Sequence, residues 1–351
     1  MSESFETNDR AGDIVIEANQ MQLIDGAAII NATFGAGDSG TTTIKVSDIL
    51  TMSGIIYEGE EVMPSGIINL PPPNLLIEEK CSTCNLNKTT ALGKTGPIEI
   101  QAGEIILADG ATISSATYGS SNAGIINITA GTLTIIGNAD SINSSINSES
   151  PIAEQGAGNA GDIKIQANQI NLIDGGEINT STANAAGGNI TVKTQKLVYL
   201  NNGQITTSAN GGKGNGGNIT IDNPTFVVLN GGKIKAQANE GHGGDISISA
   251  EQFITSPNGL ISASSKLGLD GDIEITSPDM NMEGFLVILS DKVMDVSNQI
   301  KTPCNQIVAE NLNSFVVKTS EGVRNSPDDL LPSGPLLFGD LPVKPTFSAN
   351  K

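Results

Sequence analysis

The sequence predicts an all-β fold, a right-handed single-stranded parallel β-helix with three strands in each coil of about 27 residues, and three observations predict it. The first is a recurring string, Gly-Asp/Asn-Ile-x-Ile, at Gly12-Asp13-Ile14-Val15-Ile16, Gly161-Asp162-Ile163, Gly217-Asn218-Ile219, Gly244-Asp245-Ile246 and Gly271-Asp272-Ile273, with Gly188-Asn189-Ile190 as a close variant. With looser copies at Ile44/Val46, Ile98/Ile100 and Ile126/Ile128, the anchors fall at 14, 44, 98, 126, 163, 190, 219, 246 and 273. A period near 27 marks stacked structural repeats. The second is alternation: Ile163 and Ile165 flank Lys164, the period of a strand with one buried face. The third is an Asp-Gly or Asn-Gly pair ahead of an isoleucine that stands 15 residues after its anchor, at Ile29, Ile113, Ile178, Ile205, Ile234 and Ile261.

Each element of a unit follows from its residues. The anchor isoleucines make the first strand. A second apolar stretch, such as Gln169-Ile170-Asn171-Leu172 or Phe226-Val227-Val228-Leu229, makes the second. The pairs Asp25-Gly26, Asp109-Gly110, Asp174-Gly175, Asn202-Gly203, Asn230-Gly231 and Asn258-Gly259 make corners, because these residue types enter the left-handed conformation most cheaply. The third strand follows, and then a Gly/Asn/Ser loop whose length varies, as in residues 156–161 and 210–217. One such unit cannot bury its own inner face, so units stack in register, and crossovers between parallel strands run right-handed. The 44 isoleucines and absent Trp suit an interior of stacked aliphatic side chains.

Residues 1–10 read as a lead, 11–279 as the β-helix, and 280–351 as a non-repeat tail. The gap of 54 between anchors 44 and 98 contains Pro71-Pro72-Pro73 and Cys81-Ser82-Thr83-Cys84, so residues 57–97 read as a degenerate unit or a protruding insertion. The last 51 residues hold one isoleucine and six of the 15 prolines, a shift that ends the repeat.

Composition narrows the function. With 18 basic against 38 acidic residues, a net charge of −20 and only Arg10 and Arg324 as arginines, the chain lacks the basic surface that phosphate backbones require, so no nucleic-acid partner is expected. No apolar run approaches the ~20 residues of a membrane span, and the first residues lack the basic and apolar regions of a signal peptide.

Candidate chemistry is sparse. Asp13, Asp162, Asp245 and Asp272 recur at one repeat position where Asn189 and Asn218 substitute, which fits a structural ladder and not a singular catalytic acid. His242, the sole histidine, lies in a Gly-rich loop where the other repeats put Gly and Asn, and reads as a solvated loop residue. Leu92-Gly93-Lys94-Thr95 imitates the end of a phosphate-binding loop, but Lys88 stands where that motif needs Gly. Residues 211–217 lack the Asp of a Ca²⁺-binding nonapeptide repeat and read as a flexible loop. Cys81 and Cys84 have the spacing of a redox pair or half a zinc site; in an exported chain a local disulfide is the preferred reading, which leaves Cys304 as the odd thiol. No catalytic residue, cofactor or metal is assigned. Contacts with other surfaces would use polar side chains such as Asn179, Thr207 and Gln237.

The repeat with its Asp/Asn-Gly corner resembles the filamentous-haemagglutinin-like exoproteins of two-partner secretion, in their cyanobacterial form. The tail resembles their C-terminal segment at Asp295-Val296-Ser297-Asn298-Gln299-Ile300, Cys304, Ser314-Phe315-Val316-Val317 and the stretch 327–330. Where the family often carries Arg-Gly-Gly-Leu-Pro, this chain has Glu321-Gly322-Val323-Arg324-Asn325. The resemblance covers roughly residues 11–340 and implies a secreted or cell-surface adhesin, a non-enzyme, with an outer-membrane two-partner secretion transporter as partner of the full-length parent and carbohydrate or other surfaces as ligands. It also implies a surface-retention role for Cys304. The family's signal peptide and its secretion domain with Asn-Pro-Asn-Gly motifs are not in this sequence, whose one Asn-Pro pair is Asn223-Pro224, so the chain reads as the C-terminal part of a larger exoprotein. The competing readings are a polysaccharide-active β-helix enzyme, which a cluster of acids standing off the repeat register would favour, and an inert S-layer-like component or non-exported remnant.

Overall fold

Isoleucine after isoleucine falls on the same column when the turns are stacked: Ile98, Ile126, Ile163, Ile190, Ile219 and Ile246 pair in succession across parallel strands, each at most 1% exposed. The computed structural model describes residues 2–4, 10–33, 37–58, 61–69, 93–137, 142–152 and 156–277, all within the unit Met1–Met280. Cys81, Cys84, Cys304, the prolines at 71–73 and the tail 280–351 lie outside the described residues. Regular structure among the described residues is all β, a parallel solenoid of about eight turns with about 29 residues in each. At the usual strand spacing this is a stack on the order of 40 Å long.

Two sheets run the length of the stack. One holds nine strands, from Ser2–Ser4 through Ala28–Thr33 to Leu260–Ser262, and collects every third strand. The other runs from Ile14–Ala18 to Ile273–Thr276 and collects the first and second strands together. Here the expected three separate strands are refined. In five turns the first two strands are one continuous ladder, as in Ile98–Ala108, Ile126–Ile136 and Ile163–Ile173. The inner face is carried round by a break in alternation: Ala167 points in, Asn168 and Gln169 both point out, and Ile170 points in again. A backbone that stays bonded to its parallel neighbours through such a break needs no turn residue.

The break between anchors 44 and 98 is an insertion within one turn, not an additional turn. Thr42–Ser53 pairs directly with Ile98–Ala108, and Gly66–Asn69 pairs directly with Thr112–Ala116. Ile67 therefore occupies the third-strand column between Ile29 and Ile113, and part of the added length is an antiparallel hairpin, Ile55–Glu58 with Glu61–Pro64. The register also corrects the second anchor. Ile14 and Ile98 both align with Thr42, and Ile44 aligns with Ile16 and Ile100. Thr42 is fully buried in the isoleucine column.

The corners come in two forms. In the first, third and fifth turns both residues have positive φ, as at Asp25 (53°) with Gly26 (81°), Asp109 (52°) with Gly110 (84°) and Asp174 (48°) with Gly175 (96°). Each is closed by a hydrogen bond such as Gly176 N–H to Ile173 O at 2.9 Å. In the sixth and seventh turns a single left-handed residue suffices, Asn202 at 54° and Gly231 at 65°. The sixth turn's first ladder is one residue longer, with a register shift after Ala167. A longer bend and a shorter corner cancel, which preserves the interval of 15.

Candidate functional site

The glycine that opens each repeat sits where two turns come closest. A Cβ on Gly40, Gly96, Gly124, Gly161, Gly188, Gly217, Gly244 or Gly271 would collide with the carbonyl oxygen of the equivalent glycine one turn before. None of these eight has a left-handed φ, so the requirement is contact between backbones and not conformational freedom.

The next residue builds a ladder on the solvent side. Asn189 N–H donates to Asp162 Oδ1 (2.9 Å), Asn218 N–H to Asn189 Oδ1 (2.9 Å), Asp245 N–H to Asn218 Oδ1 (2.8 Å) and Asp272 N–H to Asp245 Oδ1 (3.0 Å). Asp13 Oδ1 accepts likewise from Thr41 N–H at 2.8 Å. Asp and Asn both present this oxygen, so they interchange. His242 enters a parallel rung by its backbone: its N–H donates to Asn215 Oδ1 (3.0 Å), its carbonyl accepts from Gly216 N–H (2.8 Å), and its side chain is exposed. Residues 211–217 thus include groups hydrogen-bonded to the loops on either side, with Gly187 N–H also donating to Asn215 O (3.0 Å). The reading of a merely flexible loop is corrected.

Inside, the third-strand sheet carries a buried polar column that the repeat pattern does not announce: Asn31, Asn69, Ser115, Ser148, Thr180 and Thr207, all fully buried and in register. All of its members but Ser115, whose hydroxyl has no partner among the described residues, hold the glycine loops. Thr180 Oγ1 donates to Gly188 O (2.6 Å), Thr207 Oγ1 to Gly217 O (2.5 Å), and Ser148 Oγ donates to Gly124 O (3.2 Å) while accepting from Gly161 N–H (2.9 Å). Thr207, expected among surface-contact residues, therefore points inward; the adjacent Thr206 and Ser208 are on the opposite side of the strand.

Asn179 and Gln237 do stand on the outer face of this sheet. Asn179 Nδ2 donates to Glu149 Oε1 (3.1 Å) and Ser181 Oγ (3.2 Å), and Gln237 Nε2 donates to Ser264 Oγ (3.2 Å). Asn147, Asn179 and Thr206 align on three successive turns. Sequence reasoning missed the charges flanking this column, Glu149 and Glu177, and the half-exposed Tyr118. Burial, and then the charge of Glu177, pushes the Glu149 carboxyl above its ordinary range. Burial alone raises Glu177, opposed by a hydrogen bond from Gln204 and by Lys235. Burial and Glu149 raise the Tyr118 phenol. Their alternate placement in Ser145–Ser150 and Glu177–Thr182 was the available signal.

A sign follows for stability. A carboxyl that binds its proton more tightly when folded stabilises fully below its unfolded pKa of roughly 4.3, and that contribution is lost as pH rises through the folded value. Glu149→Gln with Glu177→Gln is expected to flatten the decline of stability above that range and to make the chain more stable than the parent at pH 7. Urea midpoints measured between pH 4 and 8 check this, and a variant less stable than the parent at neutral pH would contradict it.

A cleft of about 880 Å³ opens beside the bend of the first three turns, lined by Glu17, Asn19, Lys45, Ser47, Gln101 and Gly103 among others. Lys45 Nζ and Glu17 Oε1 meet there at 3.1 Å, both exposed, so its two charges are paired with each other. Among the described residues no three His, Cys, Asp or Glu side chains gather within reach of one metal ion, and no helix is long and apolar enough to cross a membrane. Compared with protein-family models, curated proteins and solved structures, the chain gives no match.

Proposed function

We propose that the chain is an adhesin-like β-helical rod, the C-terminal portion of a filamentous-haemagglutinin-like exoprotein, acting at the cell surface or after secretion by non-catalytic contacts. The observation that carries this reading is the outward-directed side of the third-strand sheet, where polar side chains stand in register over successive turns, as Asn147, Asn179, Thr206 and Lys235 do. Such a face suits many weak contacts spread along an extended partner, and their sum grows with the number of turns engaged. The tail residues that resemble those exoproteins add the expectation of export through an outer-membrane two-partner secretion transporter of the full-length parent.

One observation favours a second reading, a polysaccharide-active enzyme. Glu149 and Glu177 stand outside the Asp/Asn ladder, and a carboxyl raised by burial is the kind that serves as a general acid. A single experiment separates the two. Labelled full chain is expected to be retained on beads coated with a neutral polysaccharide, and Asn147→Ala/Asn179→Ala/Thr206→Ala to reduce retention on the order of tenfold, about 1.4 kcal/mol, measured where circular dichroism shows both chains fully folded. Retention on no surface, or equal retention by the triple variant, would remove the adhesin reading of this face. Soluble sugar fragments released by the parent and not by Glu149→Gln would establish the enzyme instead.

A further inference from the structure

Five Asn-Gly pairs occur in the chain, at Asn202, Asn210, Asn215, Asn230 and Asn258, and the hydrogen bonding of the glycine amide divides them. We propose that Asn202 and Asn210 are sites of spontaneous deamidation, a covalent modification from which the other three are protected by the hydrogen bond their glycine amide donates. In this reaction the glycine nitrogen, having lost its proton, attacks Cγ of the asparagine. A C–N bond forms, the Cγ–Nδ2 bond breaks, and ammonia leaves with the proton. Water then opens the cyclic imide at either carbonyl, giving aspartate or isoaspartate. No oxidant or cofactor is required.

The glycine N–H is thus the group that matters, and an N–H already donating to an acceptor must give up that bond before it can attack. Gly216 N–H donates to His242 O (2.8 Å), Gly231 N–H to Ser256 Oγ (2.9 Å) and Gly259 N–H to Ser256 O (2.9 Å). Two of the protected side chains are held as well: Asn215 Oδ1 accepts from His242 N–H (3.0 Å), and Asn230 Nδ2 donates to Asn201 Oδ1 (2.8 Å). Among the described residues, Gly211 N–H donates to no acceptor, and Gly203 N–H has only the weak pairing with Leu172 O that the isolated antiparallel bridge of Ile173 with Asn202 implies; Asn202 and Asn210 are exposed.

The two products have different consequences at Asn202. Its φ of 54° matches those of Asp25, Asp109 and Asp174, so an aspartate fits the corner. Isoaspartate adds a main-chain atom and displaces the carbonyl that accepts from Gly175 N–H at 3.1 Å. At Asn210, in a loop of variable length, both products are accommodated.

The test is peptide mapping of the full chain after incubation at mildly alkaline pH, with a urea-unfolded sample as the reference in which all five pairs react. In the folded chain the mass gain of about 1 Da is expected at Asn202 and Asn210 at least about fivefold faster than at Asn215, Asn230 and Asn258, the factor corresponding to one net hydrogen bond of ~1 kcal/mol. Ser256→Ala, which removes the acceptor of Gly231 N–H, is expected to raise the rate at Asn230 toward that of Asn202. Equal rates at all five sites in the folded chain, or an unchanged rate at Asn230 in Ser256→Ala, would overturn the proposal.

Discussion

Gly217→Ala is expected to destabilise the solenoid by at least ~3 kcal/mol, although it adds a single methyl group. The new Cβ would overlap Gly188 O and the carbonyl carbon behind it. Both belong to backbone that is fixed from two sides. Asn218, one residue on, takes Asn189 Oδ1 and receives Ile190 N–H (both 2.9 Å), and Gly217 O itself accepts from Thr207 Oγ1 at 2.5 Å. No flexible side chain can yield, so relief requires parting the turns. Parting them would weaken pairs such as Ile190 with Ile219 and Val192 with Ile221, whose side chains are fully buried. Gly156→Ala is the informative control, since its Cβ would meet nothing within 4 Å but its φ is 88°; its expected cost is about 1 kcal/mol, that of left-handed backbone alone. A shift of the urea midpoint at constant slope reads both. If the two variants lose the same stability, close approach of backbones is not what the repeated glycine serves.

That glycine shows how much of the fold was legible beforehand. Its recurrence was plain in the sequence, and so were the isoleucine columns, because a fixed period together with alternation constrains which residues share a face. The reason for the glycine was not plain. Positive φ and close contact leave the same letter in a sequence, and only the stacking of Gly161, Gly188 and Gly217 tells them apart. The Asp/Asn interchange at 162, 189, 218, 245 and 272 correctly signalled a ladder. The inner polar column stayed hidden, because Thr180 and Thr207 follow the same polar alternation as the outward-facing Asn179 and Thr206. Nothing in composition distinguishes a threonine that serves a buried carbonyl from one that faces water. Glu149 and Glu177 were missed for a related reason: they break no period, and what sets them apart is burial on a sheet face, a property of neighbouring turns.

Asn69→Leu tests whether the inner polar column organises the stack or is merely tolerated by it. The apolar interior around residue 69 makes leucine look favourable, and burying it contributes up to about 2 kcal/mol. Against that, Asn69 Nδ2 donates to Gly96 O (3.1 Å) and Pro97 O (3.2 Å), while its Oδ1 accepts from Thr42 Oγ1 (2.7 Å). Pro97 O keeps a second donor, Thr42 N–H at 3.0 Å. The substitution deprives Gly96 O and the Thr42 hydroxyl of these partners, at about 1–3 kcal/mol for each unsatisfied buried group, although Gly96 N–H keeps its bond to Ser39 Oγ (2.6 Å). The net expectation is a loss of about 2–3 kcal/mol with an unchanged far-UV spectrum. Thr42→Val, which restores an apolar side chain to the isoleucine column, is expected to destabilise as well, because it leaves Asn69 Oδ1 without its donor. In the double variant the mismatch at that oxygen disappears from both sides, so its cost is expected to fall short of the sum by about 1 kcal/mol or more. Strict additivity would mean that Thr42 and Asn69 do not act as one unit, and a stabilised Asn69→Leu would mean that hydrophobic burial alone sets the order of this interior.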